Sequence, residues 1–289
     1  MKSDCIKEFH TGMDQTQKIY PSLARSYKGF YPFKLSTTSF IYPDDYIPNV
    51  KMLGSYFDEI ELLLFESNDI ESIVPKSVVD ELKCLAKDLD IGYNVHLPTD
   101  ISISATDPHL QRDAVENYKR IIDLMLPLAP STFFLHVPYE EPDAQKATIE
   151  KWRDRTRSNL NRLLDSTTAG ALIAIETLDY PLGFIEEIVL ELDLSICMDV
   201  GHLILCDYDV MEIFKRYASK ISSIHLHGVE NNQDHQAIDR FSPQYIPALV
   251  EIISRFQGIL SLEVFAYRHL VPSLQTLESW WKNSKSPGI

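Results

Sequence analysis

Residues 59–65 read Glu59-Ile60-Glu61-Leu62-Leu63-Leu64-Phe65, residues 77–86 read Ser77-Val78-Val79-Asp80-Glu81-Leu82-Lys83-Cys84-Leu85-Ala86, and residues 92–97 read Gly92-Tyr93-Asn94-Val95-His96-Leu97. An apolar run of strand length gives way to a stretch with apolar residues at helical spacing (Val78, Leu82, Leu85, Ala86), and then to a second apolar run. That is the order strand, helix, strand. Working outward, the same unit recurs in both directions. Strands are expected over 33–39, 59–65, 92–97, 132–137, 171–177, 194–198, 221–226 and 259–264. Most show little alternation, as expected of strands covered on both faces. Helical spacing returns at 112–126, 152–164, 209–217, 247–256 and 274–281. Pro75, Pro108, Pro181 and Pro247 stand near helix starts, where a missing amide hydrogen costs least.

Eight strands alternating with helices over roughly 250 residues predict an α/β fold, a closed (β/α)8 TIM barrel. A doubly wound open sheet is the alternative, and it usually carries a glycine-rich phosphate loop after its first strand. Here that position reads Thr37-Thr38-Ser39-Phe40-Ile41-Tyr42-Pro43, without a glycine. Residues 1–30 read as a polar N-terminal extension, and 31–289 as a single barrel domain with no dividing linker.

Composition narrows the class. With 289 residues, 45% of them hydrophobic, the chain can bury a sizeable core. No apolar run is long enough for a membrane span, and the first residues lack the apolar stretch of a secretory signal. A cytoplasmic protein with reduced thiols at Cys5, Cys84, Cys197 and Cys206 is expected, since no CxxC spacing occurs. A net charge of −15 argues against a nucleic-acid partner. The basic cluster Lys151-Trp152-Arg153-Asp154-Arg155-Thr156-Arg157 reads as a solvated helix face. An acidic chain can still serve a negatively charged substrate if bound cations supply the positive charge.

The chemistry stands at the strand ends. His96, His136 and Glu176 close the third, fourth and fifth expected strands. Asp199 and His202 follow the sixth, His227 and His235 the seventh, and Glu263 lies in the eighth. In a parallel barrel all these ends open onto one face. A buried carboxylate is costly without a partner, and imidazole with carboxylate is the usual ligand set for zinc, manganese or iron(II). Each residue alone has a bland structural explanation; together they predict a site for two to three divalent metal ions. His96, His136 and Glu176 form one expected group, and Glu176, Asp199, His227 and Glu263 a second, with Glu176 bridging. His202 and His235, with Asp234, form a third. His225 is two residues from His227 and can point the same way on a strand; His227 is preferred because it lies nearer the strand end. Tyr42 and Glu66, after the first and second strands, are expected to meet the substrate, whereas Trp280 and Trp281 read as core.

On these residues the chain resembles the xylose isomerase-like TIM barrel superfamily over Phe33 to Trp281. The strand-five Glu176, the Asp199-Val200-Gly201-His202 run, the strand-seven histidine and Glu263 match its metal pattern. Three segments resemble more narrowly the cobamide-remodelling phosphodiesterases: 37–50, 58–66 and 93–100. That resemblance implies hydrolysis of the phosphodiester in the nucleotide loop of cobalamin-type cofactors, with a small-molecule corrinoid as partner. It implies His96, His136, Glu176, Asp199, His202, His227, His235 and Glu263 as metal ligands, and Glu176 and Glu263 as catalytic groups. Adjacent Asp234 and His235 depart from the endonuclease IV-type spacing at the third metal position. A sugar isomerase or epimerase with one cation is the first alternative, and it leaves His96, His136 and His235 without chemistry. A DNA-repair endonuclease and a corrinoid-binding module without turnover are lesser ones.

Overall fold

The apolar runs pair side by side, and the last of them closes on the first. The computed structural model describes residues 20–67, 74–164 and 170–285. The barrel strands are β1 (Lys34–Thr38), β2 (Glu59–Leu63), β3 (Gly92–His96), β4 (Phe133–Leu135), β5 (Ile173–Glu176), β6 (Ser195–Asp199), β7 (Ile221–Leu226) and β10 (Ile259–Leu262). Each pairs in parallel with its neighbour, and β1 with β10 completes the closed barrel. Around it run α1 (Tyr46–Leu53), α2 (Lys76–Leu89), α3 (Pro108–Met125), α4 (Lys146–Leu163), α5 (Glu186–Glu191), α6 (Val200–Leu205), α7 (Val210–Tyr217), α8 (Ile246–Arg255) and α9 (Tyr267–Lys285).

Strand alternation divides the side chains into two populations. One set, including Leu35, Ile60, Tyr93, Leu135, Ile175, Met198, Leu226 and Leu260, is buried in the main core. Each such aliphatic or aromatic side chain contributes roughly 1.5–3 kcal/mol by leaving water. The other set fills the barrel, and it is not the usual aliphatic plug. Phe134, Ala174 and Cys197 form a small apolar cluster of their own. Ser36, Glu59, Glu61, Asn94, Ser223, His225 and Ser261 are buried too. Low in the barrel, Glu59 is fully partnered by Lys34 Nζ at 2.7 Å, Ser131 Oγ at 2.6 Å and Asn94 Nδ2 at 3.1 Å.

Several elements differ from the sequence reading for local reasons. The ladders stop short of the expected limits: β4 ends at Leu135, β5 at Glu176 and β10 at Leu262. α9 begins at Tyr267 rather than 274, since Pro272 lies inside it and masks its first turns. An unanticipated hairpin, β8 (Gly228–Glu230) with β9 (Gln233–Gln236), turns through Asn231 and Asn232, both at positive φ. The basic cluster on α4 is not simply solvated. Arg153 donates to the carbonyls of Gly183 and Phe184, Arg155 pairs with Glu141, and Arg157 pairs with Glu191.

Residues 1–19 of the expected extension lie outside the described residues, as does Cys5. The rest of it packs on the barrel: Leu23 and Tyr27 are buried in the core. Lys28 Nζ donates to the carbonyls of Leu89 and Asp90 at 2.5 and 2.8 Å, a cation at the C-terminus of α2. Trp280 and Trp281 are buried in the same core, the latter edge-on to Tyr31 and Phe33.

Candidate metal centre

Glu176 is the last residue of β5, and burial leaves its carboxylate 1% exposed. Its two oxygens face different partners. Oε1 lies 3.0 Å from His136 Nε2 and 3.4 Å from His202 Nδ1. Oε2 lies 3.3 Å from both His96 Nε2 and His225 Nδ1. The strands place these groups: His96 ends β3, His136 follows β4, and His225 sits opposite Asp199 in the β6–β7 register.

Asp199 ends β6 and caps α6, its Oδ1 accepting the His202 amide at 2.7 Å. Both of its oxygens stand 3.1 Å from His227 Nε2. Glu263 follows β10 and turns Oε2 to His225 Nδ1 at 3.2 Å. His235, held at φ 50°, sends its amide to His227 Nδ1 at 2.9 Å and lies with its Nδ1 3.1 Å from the Glu263 carbonyl. Because a carbonyl only accepts, that nitrogen carries the proton and Nε2 keeps its lone pair. His96 is oriented the same way by its contact with the Leu97 carbonyl at 2.9 Å.

The expected residues are therefore brought to one rim, with one change of grouping. Of the two β7 histidines, the one that meets Glu176 and Glu263 is His225, not His227. His227 instead gathers with His202 and His235, three nitrogens within 4.8 Å of one another. Strand period explains the exchange: His225 and His227 both point inward, and it is the side chain of the lower one whose Nδ1 meets the carboxylates of Glu176 and Glu263. Two other expectations are corrected. Tyr42 is buried, stacked between Tyr20 and Tyr267, with its hydroxyl on the Pro21 carbonyl, so it cannot meet a substrate. Glu66 is exposed and does not line the pocket above the cage. The aromatic residues that do line it are Phe65 and Phe265, which remain 50% and 38% exposed. Phe40 packs on Phe65 at 4.9 Å, and Phe265 lies 4.6 Å from the His235 ring.

The donor set fits cations on one telling observation. His136 Nε2, Glu176 Oε2, Glu263 Oε2 and His225 Nδ1 are buried without a hydrogen-bond partner, although His225 Nδ1 lies 3.3 Å from Glu176 Oε2 and 3.2 Å from Glu263 Oε2, and His136 Nε2 lies 3.0 Å from the other Glu176 oxygen. Lone pairs converging at such distances without hydrogen-bond direction form a donor set that divalent cations would satisfy. Without cations, protons compensate the charge. Burial opposes a charge on His96, yet Glu176, then Glu263 and Glu61, push it up to about 9. His202 goes to about 10, with Asp199 and Glu176 overcoming burial. Glu176 resists the upward push of burial because His136 and His225 hold it well below the ordinary carboxylate range.

Residues 48–284 match the family described as xylose isomerase-like TIM barrel. No protein of curated function matches the chain. Among solved structures, it is similar to a D-tagatose 3-epimerase-like protein, at TM-score 0.71 and 18% identity, covering 87% of this chain and 98% of that one. It is also similar to the probable 3-DHS dehydratase AsbF of Bacillus anthracis (TM-score 0.67, 16% identity, 85% and 99% covered). A third is the IolI protein with a bound zinc atom (TM-score 0.66, 15% identity, 88% and 98% covered). At such identities the likeness is one of fold.

Proposed function

The chain belongs to the xylose isomerase-like TIM barrel family, and on that premise we propose that it is a divalent-metal-dependent phosphodiesterase acting on the nucleotide loop of a cobamide. One observation carries the metal-rich reading. His96, His136, His202, His227 and His235 join the three acidic residues and His225 in overlapping groups of metal-binding size. A single-cation isomerase leaves most of those imidazoles idle.

Bound cations would acidify water and neutralise charge on the phosphoryl oxygens, the two obstacles to phosphodiester hydrolysis. The chain's own residues supply position. Glu176 presents one oxygen to each half of the cage, so a single carboxylate sets the spacing between them. Glu263 Oε2, held below its ordinary range by His225 against burial, stays ionised and would ligate a cation and orient the incoming water. Phe65 and Phe265 shield that side of the pocket from bulk water and offer flat apolar faces to a ring of the substrate.

The cobamide assignment rests on the three resembling segments, and their placement supports it. They lie side by side in the barrel wall: the Ser39 amide donates to the Glu61 backbone carbonyl, and the Leu64 amide to the His96 carbonyl. Metal-loaded protein incubated with adenosylcobalamin is expected to yield a corrinoid and a nucleoside fragment, one of them phosphorylated, by mass spectrometry. Intact cofactor after prolonged incubation with fully loaded protein overturns the assignment.

A second reading has its own support: the similar structures include several sugar 3-epimerases. In it Glu176, Asp199, Glu263 and a β7 histidine hold one cation, and the two glutamates exchange a proton with a ketose. Metal analysis separates the readings, with one tightly held ion per chain favouring the epimerase and two or three the hydrolase.

A further inference from the structure

Glu61 lies in β2, on the barrel's inner face, one layer below the cage. Its carboxylate is wholly buried in a strand otherwise aliphatic from Ile60 to Leu64. Neither Arg nor Lys reaches it among the described residues. Oε2 takes the Ser261 hydroxyl. Oε1 has no hydrogen-bond partner, and it faces His225 Nε2 at 3.7 Å, which has none either. The opposite edge of that imidazole is the one turned to the cage: Nδ1 stands 3.2 Å from Glu263 and 3.3 Å from Glu176.

A buried acidic group left in this state is costly unless it has work to do. An imidazole can give a lone pair to a cation from Nδ1 only when its proton sits on Nε2. The group that Nε2 faces within ion-pair distance is Glu61. A small rotation of the ring closes the gap to the ~2.9 Å of a formed bond. We propose that Glu61 is a positioning residue: it accepts the Nε2 proton of His225, fixes the ring's tautomer, and so aims Nδ1 into the cage, with Ser261 holding the carboxylate in place.

This inference rests on the metal-cage reading but not on the identity of the substrate, and it serves the hydrolase and the epimerase alike. Outer partners of ligating histidines typically govern metal affinity by roughly 10–100-fold. The test is equilibrium competition for zinc between the full chain and a chelator. Glu61→Leu is expected to weaken zinc binding within that range, whereas Glu61→Gln, which keeps an acceptor oxygen, recovers most of the loss. In a His225→Ala background, Glu61→Leu is expected to change nothing further. Wild-type affinity in Glu61→Leu, or an undiminished effect in the His225→Ala background, overturns the proposal. Should leucine prevent folding, 15N NMR of the zinc-loaded wild type decides: His225 protonated at Nε2 is expected, and protonation at Nδ1 overturns it. A wild type that binds no divalent cation sinks the cage itself, a separate result from an indifferent Glu61.

Discussion

The Oδ1 atom of Asp199 accepts the backbone amide of His202 at 2.7 Å, so one carboxylate caps a helix and orients a neighbouring imidazole. The same side chain sits 3.1 Å from His227. Asp199→Asn keeps a capping oxygen but removes the charge. It is expected to fold with near-native melting temperature and to lose a cation by elemental analysis. Asp199→Ala removes both, and the lost cap alone costs about 1 kcal/mol. Equal melting temperatures for the two variants would show that the cap carries no weight.

Gly201 follows two residues later in α6, and a Cβ there would strike the His227 ring. Gly201→Ala is therefore expected to displace His227 and empty the group it forms with His202 and His235. The group of His96, His136 and Glu176 stays filled. Metal content should drop by one ion per chain, and an unchanged count would mean that His227 binds nothing.

Phe65 and Phe265 are exposed aromatic rings beside the cage. Replacing either with alanine is expected to raise KM for a cobamide by about 3- to 10-fold, the loss of one ring contact, with metal content unaltered. Steady-state kinetics with unchanged KM in both variants would place the substrate's ring system elsewhere.

Cation-free protein holds protons on His96 to about 9 and on His202 to about 10, against ~6.5 in an unfolded chain. A raised folded value stabilises the fold fully below the unfolded value and loses that contribution as pH rises through the folded one. The melting temperature of chelated protein is thus expected to fall between pH ~7 and ~10. Ligation needs neutral imidazoles, so zinc affinity should climb over the same interval with protons released on loading. Affinity that does not vary with pH would contradict the protonated cage.

The barrel was legible because its strands are runs of Leu, Ile and Val separated by amphipathic stretches, a pattern set by burial on both faces. The ligand groups were legible for the converse reason: Glu176, Asp199 and Glu263 interrupt apolar runs where an unpartnered charge is untenable. What escaped was depth along a strand. His225 and His227 share a face, and only the folded distances, with His225 Nδ1 3.3 Å from Glu176 Oε2, tell which of them reaches Glu176. Glu61 escaped although its spacing from Glu59 in an apolar strand signalled a second inward acid. Tyr42 misled because a residue after a strand end can turn outward under the helices as readily as inward. The β8–β9 hairpin had a cue in Asn231-Asn232, residues that tolerate the left-handed backbone its turn requires.

Residues 20–33 lie across the join between β1 and β10. The Tyr267 hydroxyl reaches the Ser22 carbonyl at 2.8 Å, Arg25 meets Glu278 at 2.9 Å, and the Tyr27 amide meets the Tyr56 carbonyl at 2.9 Å. The turn after the first helix and the last helix itself are thereby stitched to a common strap, and the seam where the cylinder shuts is guarded by side chains as well as by its backbone ladder. Trimming the chain back to the start of β1 would spare every cage residue yet leave the cylinder free to unzip along that edge.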